Sequence, residues 1–137
     1  MSPRKNAKFV VVAAIILLVA VVVLGITFVP PYILRTMSDF AALWNTTDAL
    51  QHHVATTKQW PHDWDALSPS FAFVDPAYSD RDISFAKDRV EVNFDVEIGS
   101  PPSAGDWCVR LKSDRMKPEQ ESANKRLRDL IERTSQH

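Results

Sequence analysis

The chain has 137 residues, 16 Lys and Arg against 17 Asp and Glu, and a formal net charge of −1, which leaves room for one small domain beside any anchoring segment. Arg4, Lys5 and Lys8 are the only charges before a long apolar run; without those three the remainder carries 13 basic and 17 acidic side chains, a net of −4. This acidic balance argues against nucleic acid as a partner, and the single cysteine, Cys108, excludes an intrachain disulfide.

Residues 9–29 read FVVVAAIILLVAVVVLGITFV, without a charge, Asn, Gln or His. At a helical rise of about 1.5 Å they span roughly 31 Å, the thickness of the hydrocarbon core. Sixteen of the 21 are Val, Ile, Leu or Phe, which favours insertion by roughly 5–10 kcal/mol. β-branched residues are poor helix formers in water, but in lipid the backbone must satisfy its own hydrogen bonds, so a helix is expected. A cleaved signal peptide is the alternative. Against it stand the length of the run and the absence of a small-x-small site, with Pro30, Pro31, Tyr32 and Ile33 following. The basic residues before the run place the N-terminus (1–8) in the cytoplasm. The rest is then expected to face the periplasm or the exterior of a single-pass protein of the cell (inner) membrane.

Pro30 and Pro31 predict a break or kink where that helix leaves lipid. From about 32 to 58 the spacing predicts an amphipathic juxtamembrane helix. Ile33, Met37, Phe40 and Trp44 form a candidate interaction stripe, continued by Thr47 and Val54 and flanked by Leu43 and Leu50. Residues 59–80 are expected to be a loop rich in aromatics and prolines, with one helical turn at 63–67. Strands are expected over about 82–86, 89–98 and 106–112. Val90, Val92, Phe94 and Val96 alternate with polar residues, and the expected inward set adds Phe85, Trp107, Val109 and Leu111. In this meander a turn at Lys87-Asp88 sets Phe85 against Val90, and Cys108, Arg110 and Lys112 point outward, the two cations facing the acidic row of the middle strand. Such a sheet needs a cover, which the 32–58 helix would supply. After Pro118, residues 116–137 predict a helical tail with Ala123, Leu127, Leu130 and Ile131 on a weak apolar face, read as exposed and partly frayed.

The fold class expected is therefore α+β: a transmembrane helix, an amphipathic helix on a small three-stranded antiparallel meander over 32–115, and a C-terminal helical tail. This order resembles the type IV pilin and pseudopilin family. The similarity is most concrete in Ala49-Leu50, Thr57 and Trp60-Pro61-x-x-Trp64-x-x-Leu67, where a helix runs into an aromatic-Pro pair followed by Leu. The resemblance covers residues 9–112 and implies a pilin-like extracytoplasmic domain. Pilin precursors carry Gly before Phe at the processing point and Glu five residues into the mature helix. Here Lys8 precedes Phe9 and Ala13 holds the other position.

His52, His53, His62, Asp63 and Asp65 are the one cluster of metal-ligand types, yet adjacent helical histidines diverge by about 100° and no HExxH occurs. Cys108 has no nominated base, and Ser68 and Ser70 lack a nucleophile-elbow pattern. With three glycines, Gly25, Gly99 and Gly105, a phosphate-cradling loop is excluded. Glu91, Asp95 and Glu97 read as a solvated strand face rather than a carboxylate pair. No enzyme, cofactor or metal site is expected. The function expected is a membrane-anchored, non-catalytic structural or interaction protein, with the lipid bilayer and other anchored helices, or its own copies, as partners. The alternative is an anchored accessory domain binding a small ligand or metal through residues 59–80.

Overall fold

The computed structural model describes residues 3–28, 30–74, 80–100 and 106–137. Val29, Tyr78 and the Pro101-Pro102 connection lie outside them. The chain divides into two compact units, Met1–Met37 and Ser38–His137.

In the first unit helix α1 (Pro3–Phe28) holds the apolar run. Its side chains from Asn6 to Phe28 are all exposed. It is long and apolar enough to cross a membrane, and its apolar window is buried nowhere within the protein. The Thr27 hydroxyl donates to Val23 O at 2.7 Å, so the helix itself satisfies this polar group. Helix α2 (Pro30–Thr57) opens on both prolines. The expected break falls on Val29, outside the described residues.

In the second unit α2 continues from Ser38 and is followed by α3 (Trp64–Val74), α4 (Asp80–Arg89), β1 (Val90–Val92), β2 (Val109–Leu111) and α5 (Lys117–Ser135). The two strands pair antiparallel, with Val90 opposite Leu111, Glu91 opposite Arg110 and Val92 opposite Val109. One core draws on every element. Leu43, Leu50 and Val54 come from α2, Leu67 and Phe71 from α3, Val90 and Val109 from the strands, and Leu127 and Ile131 from α5. Each fully buried side chain of this size contributes about 1.5–3 kcal/mol.

The core face of α2 shares Thr47 and Val54 with the expected stripe and takes in its flanking Leu43 and Leu50. It is built from Asp39, Leu43, Thr46, Thr47, Leu50 and Val54, while Phe40 is 48% exposed. Thr46 and Thr47 can be buried because their hydroxyls donate to Ala42 O and Leu43 O.

Several expectations for the sheet and its surroundings are corrected. The loop over 59–80 contains helix α3, whose start is fixed by Asp63 Oδ1 accepting the Ala66 N–H at 2.7 Å, an N-cap bond. Pro69 sits inside this helix, at a cost that burial of Leu67, Ser70 and Phe71 offsets. The strand over 82–86 is instead helix α4. Ile83 and Ala86 lie three apart toward the core, and Arg89 covers the ring of Phe85, four positions earlier, at 4.5 Å. The Lys87-Asp88 turn and the Phe85–Val90 pairing therefore do not exist. The expected 89–98 and 106–112 strands shrink to three residues each. Asn93 ends the ladder, because its side chain donates to Trp107 O and accepts from the Asp95 N–H, turning the chain. Val90, Val92, Val109 and Leu111 are buried, whereas Phe85, Phe94, Val96 and Trp107 are half-buried. Cys108 is fully buried, as expected of a free cysteine that packs like a small hydrophobe, although the strand alternation set it on the outward face.

The C-terminal tail is a structural element rather than a frayed one. Ala123, Leu127 and Ile131 are inaccessible to solvent, and α5 packs on β2.

Candidate functional site

The residues available for function fall into an exposed apolar set and a group of polar joints that hold the second unit together. In α1 Phe9 is 76%, Leu17 67% and Phe28 74% exposed. In the part of α2 belonging to the first unit, Tyr32, Ile33, Leu34 and Met37 are also exposed, and Thr36 donates to Tyr32 O at 3.0 Å.

In the second unit Phe40 and Trp44 lie one turn apart on α2, with ring centroids 6.2 Å apart and planes tilted by 57°. The Arg126 guanidinium stands over the Trp44 ring at 5.9 Å and reaches Asp48 at 3.5 Å. Among the described residues the buried Trp44 indole N–H has no acceptor, a deficit that costs about 1–3 kcal/mol. Phe40 and Trp44 thus form a small aromatic patch on the surface of this unit.

Asp39, next to Phe40 in sequence, is almost fully buried. Its Oδ1 receives the Arg89 guanidinium at 3.0 Å and its Oδ2 the Ser113 hydroxyl at 3.0 Å. A carboxylate buried with an Arg and a hydroxyl is a satisfied structural joint, tying α2 to the end of α4 and the turn after β2. Sequence reasoning passed over Asp39 because its partners lie 50 and 74 positions away.

The Trp60-Pro61-x-x-Trp64-x-x-Leu67 segment carries the chain from the end of α2 into α3. Trp60 Nε1 donates to Asn93 O at 2.8 Å. Trp64 meets Phe94 edge-on at 5.8 Å, and Pro61 and Leu67 are buried. The three histidines near it do not form a metal centre. His52 Nδ1 pairs with the buried Ser70 hydroxyl at 3.2 Å, and its ring stacks on Phe73 at 3.8 Å. His62 points to its neighbour Asp63. Burial, with the charges of His52 and His62, lowers the pKa of His53. Among the described residues no group of three His, Cys, Asp or Glu could hold a metal ion.

Burial pushes the Cys108 thiol up to about 11, against a smaller opposing effect of Arg128. This keeps the thiol protonated at neutral pH. Arg110 lies on the Trp107 ring at 4.1 Å and pairs with Glu91 across the two strands. That is one of the cross-strand charge contacts expected of the acidic row. A surface cleft of about 280 Å³ runs beside Asp95, Glu97, Asp106 and Trp107, and another of about 410 Å³ beside Lys58, Arg133 and His137.

The class these features define is a small helix-rich α+β unit with a two-stranded sheet, preceded by a helix able to span a bilayer. Comparison with protein-family models, curated proteins and solved structures finds no match to this chain.

Proposed function

We propose that the protein is a single-pass, membrane-anchored, non-catalytic interaction protein that displays its second unit outside the cytoplasm. The observation that carries this reading is the contrast between the two units. The second encloses a complete core, whereas α1 leaves Phe9, Leu17, Phe28 and every apolar side chain between them in the open. In water such a surface is prohibitively unfavourable; in hydrocarbon it needs no partner. The basic residues Arg4, Lys5 and Lys8 favour a cytoplasmic N-terminus.

The partner surface proposed on the second unit is the Phe40–Trp44 patch. The pilin-like order of anchor, helix and Trp60-Pro61 turn supports another anchored helix, or a second copy of this chain, as its occupant. The test is photocrosslinking in native membranes from a probe replacing Phe40. A discrete protein adduct that disappears with Trp44→Glu supports the reading. If only lipid or no adduct forms, the interaction role is lost; if alkaline washing strips the chain from membranes, the anchor is lost too.

A further inference from the structure

We infer that Tyr32–Met37 forms a lipid-binding collar in the outer headgroup layer, with Arg35 set against phospholipid phosphate; this rests on the anchor reading above. The uncharged stretch does not stop at the prolines. Between Lys8 and Arg35 there is no charged residue, and the 27 positions from one to the other correspond, at the helical rise of about 1.5 Å, to roughly 40 Å. That exceeds the hydrocarbon core of about 30 Å but matches the roughly 40–45 Å that includes both headgroup regions. Placing Lys8 in one phosphate layer therefore puts Arg35 in the other.

The exposed side chains agree with this placement. Tyr32 is 67%, Ile33 46%, Leu34 62% and Met37 63% exposed. At about 100° per residue these four cover more than half of the helix circumference, wider than the stripe one packed helix would occupy. Lipid contacts a helix over such an arc. Tyr is favoured at this depth because its ring is apolar and its hydroxyl polar, and Arg extends its charge to the phosphates along an apolar stem. Ile33 and Met37 are thereby assigned to lipid rather than to a protein stripe.

The test uses the full-length chain in phosphatidylethanolamine/phosphatidylglycerol vesicles, carrying one fluorophore at a time through Leu17→Cys, Leu34→Cys, Met37→Cys or Thr56→Cys. Native Cys108 is buried and does not compete for the label. Nitroxides are placed on lipid headgroups or at mid-chain. Headgroup nitroxide is expected to quench positions 34 and 37 several-fold more than position 56, and mid-chain nitroxide to quench position 17. If 17 is quenched while 34 and 37 behave like 56, the collar is wrong and the anchor stands. If 17 escapes quenching as well, both fall.

Discussion

Asn124 shows how one side chain completes the sheet. β1 satisfies only one edge of β2. On the other edge Asn124 Oδ1 accepts from the Cys108 N–H at 2.6 Å and the Val109 N–H at 3.0 Å, while Nδ2 donates to Val109 O at 2.7 Å and Gln120 O at 2.8 Å. Gln120 Oε1 takes the Leu111 N–H at 3.1 Å. Two amide side chains of α5 therefore stand in for a third strand, and the edge is closed to other chains. Asn124→Ala strands two donors and an acceptor in a buried place, each costing about 1–3 kcal/mol before relaxation. A loss of roughly 3–5 kcal/mol is expected by chemical denaturation, a large share of a small domain's stability. A loss below about 1 kcal/mol would show that water replaces the amide at little cost.

Cys108, beside that edge, makes a pH prediction. Its folded pKa of about 11 lies above the ordinary 9.0, so the folded protein holds this proton more tightly than the unfolded chain. The contribution is complete below pH 9 and is lost as pH rises toward 11, by about 2–3 kcal/mol. Cys108→Ala should flatten this part of the pH–stability curve. His53 acts at the other end. Its pKa is lowered, so its contribution is complete above 6.5 and declines as pH falls below that value.

At the scale of elements, helix ends and helix faces decide what each segment becomes. α2 closes at Lys58, whose φ of 58° is left-handed while its N–H still bonds Val54 O at 2.9 Å. Glycine adopts that conformation without the Cβ clash, so Lys58→Gly should stabilise the protein by about 1 kcal/mol, and Lys58→Val should destabilise it by more. Thermal melting of both variants checks the sign.

The same scale explains what could be read in advance. α1 was readable because nothing competes with a helix in a charge-free run. Val90, Val92, Val109 and Leu111 were readable from their alternation. Ile83 and Phe85 gave too short an alternation to separate a strand from a helix that uses Ile83 and Ala86. α3 was masked by Pro69, although Asp63 already stood at its cap. On the buried face of α2, Leu43, Thr47, Leu50 and Val54 were readable from their spacing, whereas Asp39 and Thr46 were not, because the partners that let them be buried appear only in three dimensions. Asn124 was overlooked for the same reason: an amide in a helix reads as surface until the strand beside it is known. Of the candidate interaction stripe, Phe40 and Trp44 come together as an aromatic pair, Phe40 exposed and Trp44 partly buried against the core.

For the whole molecule, the decisive quantity is the transfer energy of α1. Its run of Val, Ile, Leu and Phe favours the bilayer by roughly 5–10 kcal/mol, while an Arg near the helix centre costs about 2.5–3.5 kcal/mol and forfeits the residue it replaces. One such substitution should leave the protein in the membrane, because the remaining apolar residues outweigh it. Two, Leu18→Arg together with Val22→Arg, should bring the balance near zero. The two positions are one turn apart, so they also put like charges side by side. Alkaline extraction is then expected to leave wild type and the single variants in the pellet and to release a large fraction of the double variant. The released chain should keep the cooperative melting of the second unit, since every residue of the hydrophobic core lies at or beyond Ala42. A double variant that stays in the pellet would mean that contacts outside α1 hold the chain to the membrane. Loss of the melting transition would mean that α1 supports the fold of the second unit, contrary to a core in which, among the described residues, none of its side chains takes part.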